Sequence, residues 1–354
     1  MSSTSTPARR RTAPITIRPY PCLLATPLVL CQADADATER PRASGRSLGN
    51  HHEPAAARTA RRSSVTIRRA LILALAAASA VFIAVQLNDG WGRIRDEPLP
   101  GVLPIVGVVA LLALGQVALG EAMVSLGAGV TTPFDRRWAF HISQPAKYVP
   151  IGVAHAAGSV TALTGRGAAR VTAGVLWAVH TGTLVIVGVA LGLLGSPAFG
   201  WWAPLALLGP VTLVCLDHRV LLAIVRAAGR FVEVLSRPSL VPPQRRLNRC
   251  AAWAATGIVL HGLAYAVLVE AAGISMNPLA AVAGYCLALG VSIATPLPAG
   301  LGAREALLLA FSTAPAGDAI VPIVLVRLLL VGVELVLWFI ASTHRRPPAA
   351  DAPH

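Results

Sequence analysis

Charged and aromatic side chains are scarce in this chain of 354 residues. Only 13% of the residues are charged and 5% are aromatic, whereas 55% are apolar. Ordinary soluble domains have roughly 25% charged and 45–50% apolar residues. The mean hydropathy of +0.65 agrees with this excess of apolar residues. The composition therefore excludes an ordinary soluble domain and predicts an all-α polytopic membrane protein.

The motifs of several enzyme and transporter classes are also missing. The five cysteines form no CxxC pair, which excludes a typical zinc site or disulfide framework. The sequence has no HExxH motif, and its only lysine, Lys147, is not part of a GxxxxGK[ST] motif. We therefore expect no metal, no cofactor and no ATP-driven motor, and we assign no catalytic residue.

The net charge of +14 would suit a nucleic-acid partner if it covered a folded surface. Instead, twelve arginines fall between Arg9 and Arg69, before the first long apolar run, and seven fall between Arg219 and Arg249. Clusters beside apolar spans set membrane orientation and attract anionic lipid. We therefore expect no nucleic-acid partner.

Composition divides the chain into three parts. Residues 1–64 are rich in Arg, Ser, Thr, Pro and Ala and are predicted to be a disordered basic cytoplasmic tail. Within them, residues 22–31 imitate a signal peptide, so cleavage and a later translation start are both alternatives for this segment. Residues 65–343 are predicted to be the transmembrane domain, and residues 344–354 a short cytoplasmic tail.

Seven apolar stretches are long enough to cross about 30 Å of hydrocarbon. They run approximately through 66–87, 101–126, 168–195, 200–216, 250–272, 279–296 and 319–341. The arginines before the first span, from Arg58 to Arg69, predict a cytoplasmic N-terminus, and Arg345 and Arg346 predict a cytoplasmic C-terminus. The expected location is the cell membrane. Seven crossings would place the two termini on opposite sides of the membrane. Two cytoplasmic termini therefore require an extra crossing, which we assign to residues 303–312.

The basic stretch 217–249 shows apolar residues at helical spacing, opposite several arginines. The apolar positions are Leu221, Leu222, Val225, Ala228, Val232 and Leu235, and the basic positions are Arg219, Arg226, Arg230 and Arg237. An amphipathic helix on the inner leaflet and a solvated connector both explain this pattern.

Two apolar segments are broken by proline and glycine. The first, residues 141–158, contains Pro145 and Pro150 and is flanked by basic residues, which predicts a re-entrant helix pair entering from the cytoplasm. The second, residues 292–306, contains Pro296, Pro298, Gly300 and Gly302. Two such segments in the two halves of a membrane protein point to a binding site, and they are consistent with an inverted repeat. Proline and glycine alone are explained at least as well by kinks that serve only helix packing. The exposed amides of a half-helix favour an anion such as phosphate.

Charged residues at predicted membrane depth mark the same region. Arg304 and Glu305 follow the second break, and Arg327 and Glu334 lie seven residues apart on one face of the last span. Such residues usually form pairs or line a polar cavity. A lipid-headgroup site and a buried ion-pair network without a ligand both remain open. Glu121, His180 and His261 are weaker candidates as proton carriers, and packing is the favoured interpretation of the histidines.

The broken segments resemble a known family. Lys147-Tyr148-Val-Pro150-Ile-Gly152 looks like a Lys/Arg-Tyr-Leu/Ile-Pro-Gly pattern, and Pro298-Ala-Gly300-Leu-Gly302-Ala-Arg304-Glu305 looks like Pro-Gly-Gly-Leu-Gly-x-Arg-Glu. Leu325-Val-Arg327-Leu-Leu resembles an arginine-bearing last helix. These patterns resemble the transmembrane, flippase-like domain of lysylphosphatidylglycerol synthases, over about residues 66–342. Ile151 and Ala299 depart from it, since each stands where the family usually has glycine.

The resemblance implies a role in moving or presenting an anionic lipid. Aminoacyl transfer in the two-part synthases belongs to a soluble C-terminal domain, which we do not expect in the eleven residues after Thr343. The expected partner is an anionic phospholipid or polyprenyl-linked lipid. A second copy of the chain and a partner enzyme are further candidates.

Three functions follow from these observations. The first is a lipid translocase whose headgroup candidates are Lys147, Tyr148, Arg304, Glu305, Arg327 and Glu334, with Pro150, Gly152, Pro298, Gly300 and Gly302 shaping the backbone. The second is a membrane enzyme that transfers an aminoacyl or glycosyl group to a lipid, with Glu305 or Glu334 as base. The third is a non-catalytic partner of such an enzyme.

Overall fold

The computed structural model describes residues 100–127, 131–148, 154–229, 241–295, 300, 302–312 and 316–344. The predicted tail 1–64, the predicted first span 66–87 and residues 345–354 lie outside the described residues.

All regular secondary structure in the described residues is helical, as the composition predicts. The α-helices are α1 Val102–Leu126, α2 Pro133–Ser143, α3 Ala154–Thr164, α4 Arg170–Leu194, α5 Leu208–Val214, α6 His218–Gly229, α7 Gln244–Ala271, α8 Pro278–Ala294, α9 Ala303–Phe311 and α10 Ala316–Thr343. Segments Gln144–Tyr148 and Ser196–Leu207 are 3₁₀ helices.

Four described helices are long and apolar enough to cross a membrane. They are α1, α4, α7 and the Asp318–Thr343 part of α10. An α-helix rises 1.5 Å per residue, so 25 residues reach about 37 Å, which exceeds the hydrocarbon thickness. The predicted spans at 101–126, 168–195, 250–272 and 319–341 coincide with these helices. The chain is thus compatible with an α-helical polytopic membrane protein.

Seven full spans are not what the structure shows. The predicted span 200–216 falls on the 3₁₀ segment Ser196–Leu207 and on α5, and Leu205–Val214 meets His218–Ile224 at an angle of 72°. Pro197 and Pro204 remove donors that a continuous α-helix needs there. The predicted span 279–296 is the shorter apolar helix α8, of 17 residues. The described residues therefore hold four candidate spans, or five if the bent pair counts as one.

The extra crossing expected of residues 303–312 is also wrong. Helix α9 has nine residues and is about 13 Å long, less than half of the hydrocarbon thickness. It packs against α8, the helix that precedes it. α8 and α9 are therefore two short helices that pack together around a break, rather than two crossings.

Close helix contacts at glycines hold the bundle together. A Cβ atom on Gly188 of α4 would lie 2.9 Å from the Gly290 Cα atom of α8, and one on Gly257 of α7 would lie 2.8 Å from the Gly115 carbonyl oxygen of α1. Small residues let membrane helices approach this closely. The close contact that we expect at Gly188 and Gly192 is thus present, since Gly192 also packs against α8.

Helix α6 begins the predicted amphipathic stretch. Arg219 and Arg226 are exposed, and Leu221 packs against the core. Ile224 is 55% exposed, so part of the apolar surface of α6 is uncovered. Residues 230–240, including four of the predicted positions, lie outside the described residues, and the contact with the inner leaflet stays a prediction.

Candidate functional site: a cavity between the two broken segments

The first broken segment starts at a well-capped helix. Thr132 Oγ1 accepts a hydrogen bond from the Asp135 amide at 3.2 Å, and Asp135 Oδ2 accepts one from the Thr132 amide at 3.2 Å. With Pro133 in the first turn, this capping box fixes the start of α2. Arg136 then donates to the Val124 carbonyl at 3.2 Å, and so satisfies a carbonyl at the end of α1.

Side chains of α2 tie this segment to its neighbours. Trp138 Nε1 donates to the Ala341 carbonyl of α10 at 2.9 Å, and Arg137 pairs with Glu121 of α1 at 2.5 Å. Arg166 stacks on the Trp138 ring at 4.3 Å. Glu121, a candidate proton carrier from the sequence, thus lies in an ion pair at the base of the segment.

The 3₁₀ helix after α2 brings Lys147 and Tyr148 to the last helix. Lys147 Nζ lies 2.5 Å from Glu334 Oε1, and the Tyr148 hydroxyl donates to Glu334 Oε2 at 2.8 Å. Gln116 Nε2 of α1 also donates to Glu334 Oε1, at 2.7 Å. Glu334 is only 2% exposed. One buried carboxylate therefore joins three parts of the chain and neutralises Lys147.

The second broken segment turns at two glycines. Gly300 has φ +66° and Gly302 has φ +83°, and both values favour glycine over residues with a side chain. The Gly302 amide donates to Glu305 Oε2 at 2.8 Å, so the first turn of α9 supplies its own anionic cap. The other carboxylate oxygen of Glu305 accepts from Arg327 of α10. The sequence predicts an anion site at the positive N-terminal end of α9. Glu305 occupies part of that end.

Arg304 has weaker contacts than the other two cations. Its guanidinium lies 3.5 Å from the Tyr285 hydroxyl and 3.4 Å from Ser292 Oγ, and its charge is 5.6 Å from the centre of the Tyr285 ring. Among the described residues it has no carboxylate partner. Its buried Nε atom also has no hydrogen-bond partner there.

These side chains surround a cavity of about 210 Å³. The polar and charged residues in its wall include Gln116, Gln144, Lys147, Tyr148, Arg304 and Glu334, and Arg327 lines it as well. Leu119, Leu184, Ile258, Leu289 and Leu330 supply apolar parts of the wall. The cavity combines an apolar lining with a few convergent polar groups, as small-molecule sites do.

The structure brings most of the predicted headgroup candidates together. Lys147, Tyr148, Arg304, Arg327, Glu334 and Gly300 all line the cavity, and Glu305 is joined to it through Arg327. Gly302 caps α9 and is not in the cavity wall. Pro150, Gly152 and Pro298 lie outside the described residues, as do Ile151 and Ala299.

The two histidines predicted as packing residues bond to the backbone of α1. His180 Nε2 lies 3.2 Å from the Leu119 carbonyl, and His261 Nε2 lies 3.3 Å from the Leu112 carbonyl. These contacts tie each ring to the backbone of a neighbouring helix, so they favour packing over proton transfer. Both rings also form part of the cavity wall.

The polar cavity residues that escaped the sequence analysis include Gln116, Trp177, Tyr285 and Ser292. Gln116 carried a usable signal, because a lone amide in a long apolar run is expensive in a bilayer and usually has a partner. The other three are common in membrane helices, and their sequence spacing gives no indication that they meet.

The described residues contain no group of three or more His, Cys, Asp or Glu side chains arranged to hold a metal ion. No protein-family model matches the chain, and no curated protein matches it.

Proposed function

We propose that this protein is an integral membrane protein that binds an anionic lipid headgroup in the cavity and moves it between leaflets. The lipid is an anionic phospholipid or a polyprenyl-linked lipid. One observation carries the proposal: both broken segments deliver cationic side chains to the same cavity. Cations at membrane depth mark substrate pathways in many membrane proteins.

The family resemblance supports the same proposal. The residues of the two quoted patterns, Lys147 and Tyr148 in one and Arg304 and Glu305 in the other, lie in the cavity wall or next to it. We therefore propose membership of the flippase-like family of lysylphosphatidylglycerol synthase transmembrane domains.

The proposed topology has two re-entrant pairs that enter from opposite sides. The first, α2 to α3, enters from the cytoplasm, and Trp138 at its base bonds to the cytoplasmic end of α10. The second, α8 to α9, enters from outside, because α9 is too short to cross and packs back on α8. α10 then runs from outside to inside. Both termini are cytoplasmic in the cell membrane without an additional crossing.

The enzyme alternative has less support from the geometry. A general base needs a free lone pair close to the proton that it removes. Glu334 accepts hydrogen bonds from Gln116, Lys147 and Tyr148, and Glu305 binds Arg327 and the Gly302 amide. Both predicted bases are therefore occupied by partners within the protein.

The experiment is lipid translocation by the full chain reconstituted in liposomes with fluorescently labelled phosphatidylglycerol. We expect faster exchange of the label between leaflets than in protein-free liposomes, and loss of most of this acceleration in an Arg304→Ala variant. Arg249→Ala is the matched control, since Arg249 is exposed and is not in the cavity wall. Equal rates for the wild type and Arg304→Ala would refute the proposal.

A further inference from the structure

The charges around the cavity leave one cation without a carboxylate. Lys147 is paired with Glu334, and Arg327 is paired with Glu305. Arg304 has no carboxylate partner among the described residues, where its contacts are the hydroxyls of Tyr285 and Ser292 and the Tyr285 ring. The two ion pairs are neutral, so these four side chains and Arg304 together carry a net charge of +1. A ligand with a single negative charge balances the cavity, whereas a phosphomonoester, with about −1.5 to −2 at neutral pH, exceeds it.

The same pairing leaves little for a ligand amine. Glu334 receives hydrogen bonds from three side chains, and Glu305 is bound by a guanidinium and a backbone amide. The negative charge of each carboxylate is therefore already balanced by a cation of the protein. An ammonium group brought into the cavity would lie near Arg304 with no free anion beside it, and burial of an unpaired charge is strongly unfavourable.

Uncharged polar atoms at the cavity complete the description of the ligand. Gln116 is 3% exposed, and its Oε1 atom has no donor among the described residues. Trp177 Nε1 is buried and has no acceptor there. One is an acceptor and the other a donor, and both residues line the cavity. A hydroxyl group satisfies either atom, because it both donates and accepts.

We infer that the headgroup bound in this cavity is a monoanionic phosphodiester that carries hydroxyl groups and no amine, such as a phosphoglycerol or phosphosugar group. Arg304 binds the phosphodiester, and Gln116 and Trp177 bind hydroxyls. The volume of about 210 Å³ is below the roughly 300–1,000 Å³ of sites for drug-sized ligands, so it fits a headgroup without its acyl chains. This inference rests on the proposed function and narrows its substrate class.

The test is equilibrium binding of short-chain lipids to the full chain in neutral detergent, by titration calorimetry. The probes are dioctanoyl forms of phosphatidylglycerol, phosphatidylmethanol, phosphatidylethanolamine and lysylphosphatidylglycerol. We expect phosphatidylglycerol to bind best. Both amine-bearing lipids should bind at least about tenfold more weakly, because their ammonium has no partner. Phosphatidylmethanol, an anion without hydroxyls, should bind about fivefold more weakly, because it leaves buried polar atoms unpaired.

Two variants locate the effect in the cavity. Arg304→Gln should lower phosphatidylglycerol affinity by at least about tenfold. Trp177→Phe removes the N–H group and keeps an aromatic ring. It should weaken the binding of phosphatidylglycerol about fivefold and leave the binding of phosphatidylmethanol unchanged. Equal binding of phosphatidylglycerol and lysylphosphatidylglycerol, or a Trp177→Phe effect of equal size on both anionic lipids, would overturn the inference.

The outcomes also separate this inference from the proposed function. If Arg304→Gln binds every lipid as tightly as the wild type, the headgroup site itself is wrong and both fail. If Arg304→Gln weakens all four lipids and the wild type does not discriminate among them, only the inference on headgroup chemistry fails. If soluble glycerophosphoglycerol binds as tightly as phosphatidylglycerol, the phosphodiester chemistry holds and the proposal of a lipid ligand fails.

Discussion

The two broken segments each contribute a cation to the cavity, but the two cations differ in their partners. Lys147 of the first segment lies 2.5 Å from the buried carboxylate of Glu334. Within the part of the chain that the structure describes, Arg304 of the second segment has only hydroxyl and ring contacts, at 3.4 Å or more. The carboxylate next to Arg304 in sequence, Glu305, binds Arg327 instead. We therefore expect a structural role for the first cation and propose a ligand-binding role for the second.

The largest test of this difference is Glu334→Leu. This change leaves the partly buried Lys147 ammonium without its anion, and breaking a buried ion pair in this way costs about 3–5 kcal/mol. We expect a loss of that size in the free energy of unfolding, measured by denaturant titration in detergent micelles. The double variant Lys147→Met/Glu334→Leu should regain most of it. A loss below about 1 kcal/mol in the single variant would contradict a structural role for the pair.

A second test uses the two glycines of the second segment. An alanine Cβ at Gly300 would lie 2.9 Å from the Ser292 carbonyl oxygen, whereas at Gly302 nothing lies within 4 Å. Both positions have positive φ, so both substitutions are strained by about 1–3 kcal/mol. Gly300→Ala should be the more destabilising and should also reduce lipid binding, because Gly300 lines the cavity. Equal effects of the two variants in the same unfolding and binding measurements would show that the close contact at Gly300 has no influence.

A third, smaller effect is expected for Tyr148→Phe. The substitution removes one of three donors to Glu334 and leaves the ring in place. Hydrogen bonds between membrane helices contribute about 0.6 kcal/mol on average and at most about 1.7 kcal/mol. We expect a decrease in unfolding free energy within that range. A loss as large as that of Glu334→Leu would mean that the hydroxyl, rather than Lys147, dominates the stabilisation of Glu334.

The smallest effect on stability is expected for Arg304→Met. Its guanidinium has no ion pair in the described residues, so its removal should change the unfolding free energy by less than about 1 kcal/mol. Lipid binding should fall sharply in the same variant. If the unfolding free energy instead falls by several kcal/mol, Arg304 is a structural residue like Lys147 and the contrast between the two segments disappears.

Sequence alone was sufficient for the helices that depend on local composition. The runs at 101–126 and 168–195 are long and uniformly apolar, and each appears as one helix. The breaks were also visible, because proline and glycine act locally. The count of crossings misled at 303–312, where two cytoplasmic termini required one more crossing although an α-helix of nine residues covers only about 13 Å.

Pairing between distant elements could not be predicted in this way. Glu334 and Arg327 were expected near Arg304 and Glu305, and Arg327 does meet Glu305. The partners of Glu334 are instead Lys147, Tyr148 and Gln116, which come from elements 186 to 218 residues away in sequence. Hydropathy patterns hold no information on which of several buried charges will meet.

The last helix carries one partner for each broken segment. Arg327 and Glu334 lie seven residues apart on α10, about 10 Å along its axis, and they hold the second and the first segment respectively. Both ion pairs therefore depend on the position of the same helix. A displacement of α10 along its axis would strain both pairs, so opening the cavity at one segment would weaken the ion pair at the other. By reciprocity, if loosening the first pair changes the strength of the second, loosening the second changes the first by the same coupling free energy.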